Sequence, residues 1–142
     1  MKFKRLEVTK IRVFWIMLLP IIYTTLVLSY VWWQCFTSPW PSGKNGQLDA
    51  YRHTLASAVV AYTSSPKVVQ WVTHLMEHKG NAANLMDQHN NRIGANIGNT
   101  ANSLNALNHV VNVQISQGTV NANSTTQTTW LPQTDWGESL LW

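Results

Sequence analysis

The sequence predicts an all-α protein with an N-terminal transmembrane helix, a small three-helix domain and an irregular, Trp-rich tail. Two observations predict this class. Residues 13–36 carry no charge, and at about 1.5 Å of rise per residue a helix of that length crosses a hydrocarbon core of about 30 Å. After residue 47, apolar residues recur at the three- and four-residue spacing of one helical face. A chain of 142 residues leaves room for one domain beside such an anchor.

The N-terminal charges predict the orientation of the anchor. Residues 1–12 form a basic tail, whereas acidic and basic residues balance each other beyond residue 36. Basic flanks stay in the cytoplasm, so we predict a single-pass protein of the bacterial inner membrane with a periplasmic C-terminal domain. A cleaved signal peptide is the alternative. It is disfavoured because residues 13–36 exceed the usual apolar length of about 7–15 residues and no A-x-A-like site follows.

The same charge distribution decides which partners are expected. The net charge of +4 resides in the basic tail, which leaves no basic surface to follow a phosphate backbone. Nucleic acid is therefore excluded. The expected partners are the lipid bilayer and either a cell-envelope substrate or a protein. The single cysteine, Cys35, falls at the membrane boundary and leaves the outer domain without an internal disulfide.

Local signals divide the chain after the anchor. Prolines and glycines mark residues 37–47 as a linker, and residues 48–116 form the helical domain. A first helix opens this domain, and a second begins at the cap signal of Ser65 and Pro66. A third, longer helix is predicted from about residue 84 to residue 115, because its apolar residues fall within one sector of the helical wheel.

The last segment, residues 117–142, gives no signal for a regular element and ends in WLPQTDWGESLLW. We expect an extended tail whose tryptophans dock on the helices or on lipid headgroups. A further hypothesis is that this tail itself perturbs lipid at the membrane surface.

The first helix of the domain carries a polar patch beside its apolar stripe. Asp49 and His53 are one turn apart, so their side chains share a face, and Arg52 lies beside them. A carboxylate that fixes the tautomer of an imidazole suits catalysis, with the arginine available for an anion. The structural alternative is an Asp49 that stabilises the helix N-terminus and pairs with Arg52.

A second polar stripe runs along the predicted third helix. Asp87, Asn91 and Gly94 fall within a narrow sector of the wheel, away from the apolar face. They predict the floor of a cleft, where the glycine admits a ligand. The alternative is close helix packing, with Gly94 and Gly98 as a small-x-x-x-small pair. The two interpretations are compatible.

The second helix contains an H-x-x-E-H sequence at residues 74–78, in which Glu77 is the carboxylate. Certain zinc peptidases use this order, but the match is short and those enzymes are far larger. A third zinc ligand would have to come from elsewhere in the chain: Asp87, His89 or Asp49. The H-N-N sequence at residues 89–91 resembles part of an H-N-H nuclease but lacks the strand-strand-helix frame, and we reject that interpretation.

Two blocks, DAYRHTLASA at residues 49–58 and MDQHNNRIG at residues 86–94, resemble a helical domain of uncharacterised bacterial secreted, wall-associated and toxin-like proteins. The pattern of that family is D-A-[FY]-R-H with small residues following, then an acid near a histidine, then M-D-x-H-N-N-x-x-G. The outer blocks match, whereas the middle block has Glu77 before His78 instead of after a histidine. The resemblance spans roughly residues 48–98 and implies that the two polar blocks belong to one site.

These inferences give a leading hypothesis and an alternative. The leading hypothesis is a membrane-anchored periplasmic domain that acts as a hydrolase-like enzyme on cell-envelope material and can bind a divalent metal. In it His53 is a general base or ligand, Asp49 orients it, and Arg52 holds an anionic group. The alternative is a non-enzymatic accessory or immunity-type binding module. The remaining candidates are Asn90, Asn91 and Gly94 for substrate or partner binding, and Asp87, His89 and Glu77 for the metal.

Overall fold

The computed structural model describes the backbone of residues 2–76 and 80–138, and side chains within those ranges from Arg12 onward. The predicted all-α class is confirmed, and strand structure within the described residues is limited to one short pair. The elements in chain order are α1 (Lys2–Thr37), α2 (Gln47–Thr63), α3 (Pro66–Met76), α4 (Ala82–Thr100), α5 (Leu104–Ser116), β1 (Thr119–Val120), β2 (Thr129–Trp130) and a 3-10 turn (Gln133–Asp135).

The N-terminal helix α1 changes character along its length. Its segment Arg12–Thr37, with a mean hydropathy of 1.9, is long and apolar enough to cross a membrane. Most side chains of residues 12–22 are exposed, whereas Val31 and Cys35 are buried in the core of the domain. The sequence predicted a membrane helix joined to the domain by a linker. The structure additionally packs the C-terminal half of that helix against α2.

The helices α2 and α4 form the largest interhelical contact among the described elements. Two glycines permit it. A Cβ atom on Gly94 would collide with the carbonyl oxygen of Thr54, and one on Gly98 would collide with the carbonyl oxygen of Ala58. The two backbones therefore meet at a distance that only glycine allows. This contact fixes the polar residues of α2 and α4 relative to each other.

The single long helix predicted for residues 84–115 is wrong, because two helices occupy this stretch. Helix α4 ends at Thr100, and α5 begins after Ser103, whose hydroxyl oxygen accepts from the Ala106 N–H at 3.1 Å. An N-cap bond of this kind satisfies a free amide and starts a new helix in a new direction. The break lets α5 bury Leu107, Val111 and Ile115.

Helix α5 closes the core on the side of Tyr51. This side chain is buried, and its hydroxyl donates to Asn108 Oδ1 at 3.0 Å. Burial raises the pKa of Tyr51 to about 12, so the hydroxyl stays a donor at neutral pH. The bond ties the apolar face of α2 to α5.

The tail docks on the helices, which is one of the two arrangements expected for it; the other was docking on lipid headgroups. Strand β1 pairs in parallel with β2, and both Trp130 and Leu131 lie in the core. The Leu131 N–H donates to the Asn45 carbonyl at 2.9 Å, and the Trp136 indole donates to the Leu131 carbonyl at 2.7 Å. A buried Trp130 cannot perturb lipid, so the hypothesis of a lipid-active tail fails for this tryptophan. Residues 139–142 lie outside the described part of the chain.

Candidate functional site

The two polar blocks meet where α2 crosses α4. His53 Nε2 lies 3.5 Å from Asp49 Oδ1 and 3.4 Å from Asp87 Oδ1. The Asp49 side chain is buried, and the side chains of His53 and Asp87 are 21% and 15% exposed. The imidazole therefore sits between two carboxylates supplied by different helices, with limited access from solvent.

The position of Asp49 follows from the start of α2. It lies in the first turn, and its Oδ2 accepts from the Asn45 N–H at 2.7 Å. The positive end of the helix dipole and this hydrogen bond both hold the Asp49 side chain at the start of α2. Its other oxygen, Oδ1, accepts from Arg52 Nη2. Both oxygens are thus fixed before any ligand arrives.

Arg52 connects the site to α1. Its guanidinium lies over the ring of Trp32 at 5.7 Å, besides its contact with Asp49. Its Nη2 is also 3.4 Å from His53 Nε2. The sequence left two roles open for Arg52, and these contacts show the ion pair with Asp49. The prediction that Arg52 holds an anionic group remains a proposal.

His53 is held in its neutral form. Burial lowers the pKa of His53, the Asp49 carboxylate opposes that shift, and the nearby Arg52 charge adds to it. A pKa below the ordinary value of about 6.5 leaves the imidazole uncharged at pH 7. A neutral imidazole has a free lone pair, which both a general base and a metal ligand require.

Asn91 forms part of the same group of residues. Its side chain hydrogen-bonds to His53, and its Oδ1 accepts from Ser57 Oγ at 2.8 Å. The Ser57 hydroxyl is therefore committed to Asn91, although this serine is one turn from His53. The hydrogen bond from Ser57 orients the side-chain amide of Asn91.

Asn90 is not at the site, which corrects its assignment to substrate or partner binding. Its side chain is fully buried, with Nδ2 donating to the Thr129 carbonyl at 2.7 Å and Oδ1 accepting from the Thr129 N–H at 3.0 Å. Both ends of the amide are used to hold strand β2. Helical geometry explains the error, because Asn90 lies about 100° around α4 from Asn91.

Two further assignments change in the structure. Gly94 faces the backbone of Thr54, so it serves the close packing of α2 and α4 and has no space for a ligand. His89 points toward the tail, where its Nε2 lies 2.7 Å from the Gln127 carbonyl, and it is absent from the cluster around His53. The remaining predicted ligand, Glu77, lies outside the described residues.

Two distances within the cluster fit a metal site. One ligand atom each from Asp49, His53 and Asp87 lies within 4.8 Å of the other two. A tetrahedral ion with bonds of about 2.0–2.2 Å holds its ligand atoms about 3.3–3.6 Å apart. The two distances from His53 Nε2, 3.5 and 3.4 Å, match this spacing. Nitrogen and carboxylate oxygen donors suit zinc and other divalent transition metals.

A groove of about 220 Å³ leads away from this cluster between α2 and α3. His53 and Asn91 line one part of it, and the rest of its wall is mostly apolar, including Val60, Val72 and Met76. A second, larger hollow of about 730 Å³ lies between α3 and α4 and has a mixed polar and apolar lining that includes His89 and Leu85. The carboxylate cluster thus adjoins an apolar groove.

The sequence did not predict that Trp32 and Asn45 take part in the site. Trp32 lies in the apolar run, where an aromatic residue indicates a membrane interface as readily as a partner for arginine. Asn45 acts through its backbone N–H, which no side-chain pattern can show. An Asn-Gly pair just before an acidic first turn was the available signal.

Fold and site define a class: a small all-helical domain on an apolar N-terminal helix, with a half-buried histidine between two carboxylates. Residues 34–123 match the family model described as a domain of unknown function, DUF6973. The match covers more than half of the chain, which therefore belongs to this family. It includes the C-terminal end of α1 and both polar blocks. No curated protein and no solved structure matches the chain.

Proposed function

We propose that this protein is a membrane-anchored, hydrolase-like enzyme in which Asp49, His53 and Asp87 hold a divalent metal. Its substrate would be cell-envelope material on the periplasmic side of a bacterial inner membrane. The observation that carries the proposal is the meeting of three metal-ligating atoms within 4.8 Å, beside a groove. The resemblance of the two sequence blocks to bacterial secreted and wall-associated proteins supports the assignment to the envelope.

The rigid frame around the cluster supports a preorganised site. Asp49 is fixed by the Asn45 N–H, and α4 is held to α2 by backbone contact at Gly94. Metal-ligating side chains on packed helices keep their positions in the absence of the ion, which lowers the cost of binding it. The low pKa of His53 removes the need to expel a proton first.

Charge also favours a cation at this place. The carboxyl groups of Asp49 and Asp87 flank His53, and Arg52 neutralises Asp49 through their ion pair. A divalent ion would take over part of that task and require the guanidinium to move from Asp49 Oδ1. Arg52 would then be available for an anionic group of the substrate, which is the role the sequence predicted.

A divalent metal at this site would supply Lewis acidity toward a carbonyl or phosphoryl oxygen of a bound substrate. The protein's own residues would do the rest. Asn91, oriented by Ser57, presents an amide to the groove and can hold a substrate oxygen. The apolar groove wall excludes water from the reacting bond, which strengthens every electrostatic contact there.

The proposal is tested by titrating the purified full chain in detergent micelles with Co²⁺ and recording the visible absorption of tetrahedral cobalt. Wild type should bind, and Asp87→Asn, which keeps the shape and removes the charge, should bind about 100-fold more weakly, or about 2.7 kcal/mol. His74→Ala removes an exposed histidine of α3 and should leave the affinity unchanged. Equal binding by wild type and Asp87→Asn would refute the metal site.

A second arm addresses hydrolysis itself. Bacterial envelope lipids and peptidoglycan would be incubated with the metal-loaded protein, and new products identified by mass spectrometry. Products that depend on Asp87 and on added metal support an enzyme. Metal binding without any product would leave a metal-binding module. Alkaline phosphatase fused to the C-terminus should be active if the domain is periplasmic, and inactivity would contradict that location.

A non-enzymatic binding module is the second candidate, and the position of Arg52 favours it. The guanidinium contacts both Asp49 and His53, which is the space a metal ion would share. In a purely structural network this contact is permanent. Arg52→Met would then lower stability and leave cobalt unbound, whereas a metal site should bind cobalt at least as tightly after the same change, because a competing cation is gone.

A further inference from the structure

The C-terminal half of α1 is an integral part of the domain. Helix α2 runs beside it in the opposite direction. At one end the Tyr23 hydroxyl lies 2.7 Å from Thr63 Oγ1, and at the other Arg52 stacks over Trp32. Between these points Val31 is buried against the core. The depth of α1 in a membrane therefore sets the depth of α2.

The length of the apolar run places part of the domain inside the bilayer. Residues 13–22 span about 15 Å, which is half of a hydrocarbon core of about 30 Å. The charged residues of the segment 1–12 cannot extend this run. A spanning α1 must use residues after Tyr23 as well. The end of α2 at Thr63, which contacts Tyr23, then lies below the membrane surface.

Helix α3 has the surface that such a position requires. Trp71 is 64% exposed, Leu75 53% and Met76 71%. By helical spacing these three side chains fall within a sector of about 140°, and Gln70 and His74 lie outside it. Lys67 is one turn from Trp71 and borders the same sector. A small domain rarely exposes so many large apolar residues on one short helix unless a membrane or a partner covers them.

The exposed face of α3 is continuous with the groove that leads to the cluster. Met76 is exposed on α3 and also lines the groove, opposite Ala56 and Val60 of α2. Ala56 is one turn from Arg52, which contacts α1 through Trp32. The groove therefore opens between α3 and the side of α2 that carries α1. A lipid beside α1 would meet its entrance.

The geometry points to a domain that lies partly in the bilayer beside α1 and takes the acyl chain of a bilayer lipid into the groove between α2 and α3. This inference rests on the proposed function and names its substrate class as a lipid or lipid-linked molecule. The chain would lie along Val60, Val72 and Met76, which brings the polar end to His53 and Asn91. Trp32 and Arg52 lie where a headgroup region would be, since tryptophan favours membrane interfaces.

The depth of α3 is tested with spin labels on the full chain in vesicles of phosphatidylcholine and phosphatidylglycerol. Leu75→Cys is labelled for the apolar side and Gln70→Cys for the polar side, both with Cys35→Ala and with the helical content checked. The label at residue 75 should be accessible to oxygen and protected from a charged nickel chelate. The label at residue 70 should be accessible to the nickel chelate and less accessible to oxygen. Equal accessibility to nickel at both positions would overturn the placement.

The same spectra identify a different occupant of the face. Dipolar broadening at residue 75 that disappears when unlabelled protein is added would mean that a second copy of the chain covers α3. That result would also overturn the bilayer as the occupant.

The groove is tested with a phosphatidylcholine that carries a photoactivatable diazirine on one acyl chain. Cross-links should map to the α2 wall of the groove as well as to the outer face of α3, which serves as the internal reference. Val60→Trp fills the groove and should reduce α2 labelling about tenfold relative to α3, because an indole occupies the chain's volume. Val110→Trp, at an exposed position of α5, should change neither.

Labelling on α3 alone, or α2 labelling that survives Val60→Trp, would refute the acyl-chain site. These readouts need neither metal nor turnover, so they separate the two proposals. Lipid in the groove with no cobalt bound would refute the metal enzyme and keep the lipid site. Cobalt binding without lipid in the groove would refute the lipid site and keep the metal enzyme.

Discussion

Two neighbouring faces of α4 divide the H-N-N motif and its flanking residues between different tasks. Asp87 and Asn91 face α2 and join the cluster around His53. His89 and Asn90 face the tail, where they contact the backbone of Gln127 and Thr129. One sequence block therefore contributes to a candidate site and also to a clamp, formed by His89 and Asn90, that holds the tail. The comparison shows that adjacency in a motif does not imply adjacency at a site.

Burial distinguishes Asp87 from Asn90, although it does not divide the two faces as a whole, since Asn91 is buried and His89 is half-buried. The Asp87 side chain keeps 15% exposure at the edge of the cluster, whereas Asn90 has none. A residue that binds a ligand must be reachable, and a residue that satisfies a buried backbone segment must not be. Substitutions on the clamp face should therefore change stability alone, and those on the site face should change binding.

The largest effect is expected at the contact that both faces depend on. Gly94→Ala introduces a Cβ that collides with the Thr54 carbonyl, so α2 and α4 must separate. We expect the free energy of unfolding to fall by about 3 kcal/mol, measured by chemical denaturation in detergent micelles and followed by circular dichroism. Asn96→Ala, an exposed position of the same helix, is the control and should be neutral or slightly stabilising. A stable Gly94→Ala would show that the helices are not held at backbone contact.

Removal of the clamp comes next. Asn90→Ala leaves the buried N–H and C=O of Thr129 without their side-chain partner, which should cost about 2–3 kcal/mol of stability. Limited proteolysis should then cut near β2, while cobalt affinity per folded molecule stays at the wild-type value. Asn99→Ala, at an exposed asparagine of α4, is the matched control. Loss of cobalt binding by a folded Asn90→Ala protein would place this residue at the site after all.

The site face should give the opposite pattern. Asn91→Ala removes the partner of Ser57 and His53 and should weaken cobalt binding about 10- to 100-fold, as loss of an orienting neighbour does. The free energy of unfolding should fall by only about 1 kcal/mol, because the Ser57 hydroxyl can bond to its own helix instead. An unchanged cobalt affinity would remove Asn91 from the proposed site.

The smallest effect is expected for His89→Ala. It removes the contact with the Gln127 carbonyl near the surface and should cost about 0.5–1.5 kcal/mol, with no change in cobalt affinity. His109→Ala, at an exposed position of α5, gives the baseline for losing a histidine. A drop in cobalt affinity with His89→Ala alone would restore His89 as a ligand.

Much of the candidate site could be predicted from helical spacing. The one-turn separation of Asp49 and His53, and of Asp87 and Asn91, put each pair on one face, and the resemblance joined the two pairs. Spacing could not tell which face of α4 would meet α2, since Asn90 and Asn91 are chemically alike and differ only by direction. The break at Ser103 was missed because apolar periodicity continues through it, and one cap bond outweighed that pattern.

The sequence by itself determined the helical class, the apolar length of α1 and the residues able to ligate a metal, because these depend on composition and on spacing along one helix. Tertiary structure alone decided that half of α1 belongs to the domain, that Asn90 holds the tail, and that a groove joins α3 to His53. Each of these depends on which surfaces of separate helices come into contact. That choice is made by packing between residues far apart in the chain, with Gly94 and Gly98 fixing the closest approach.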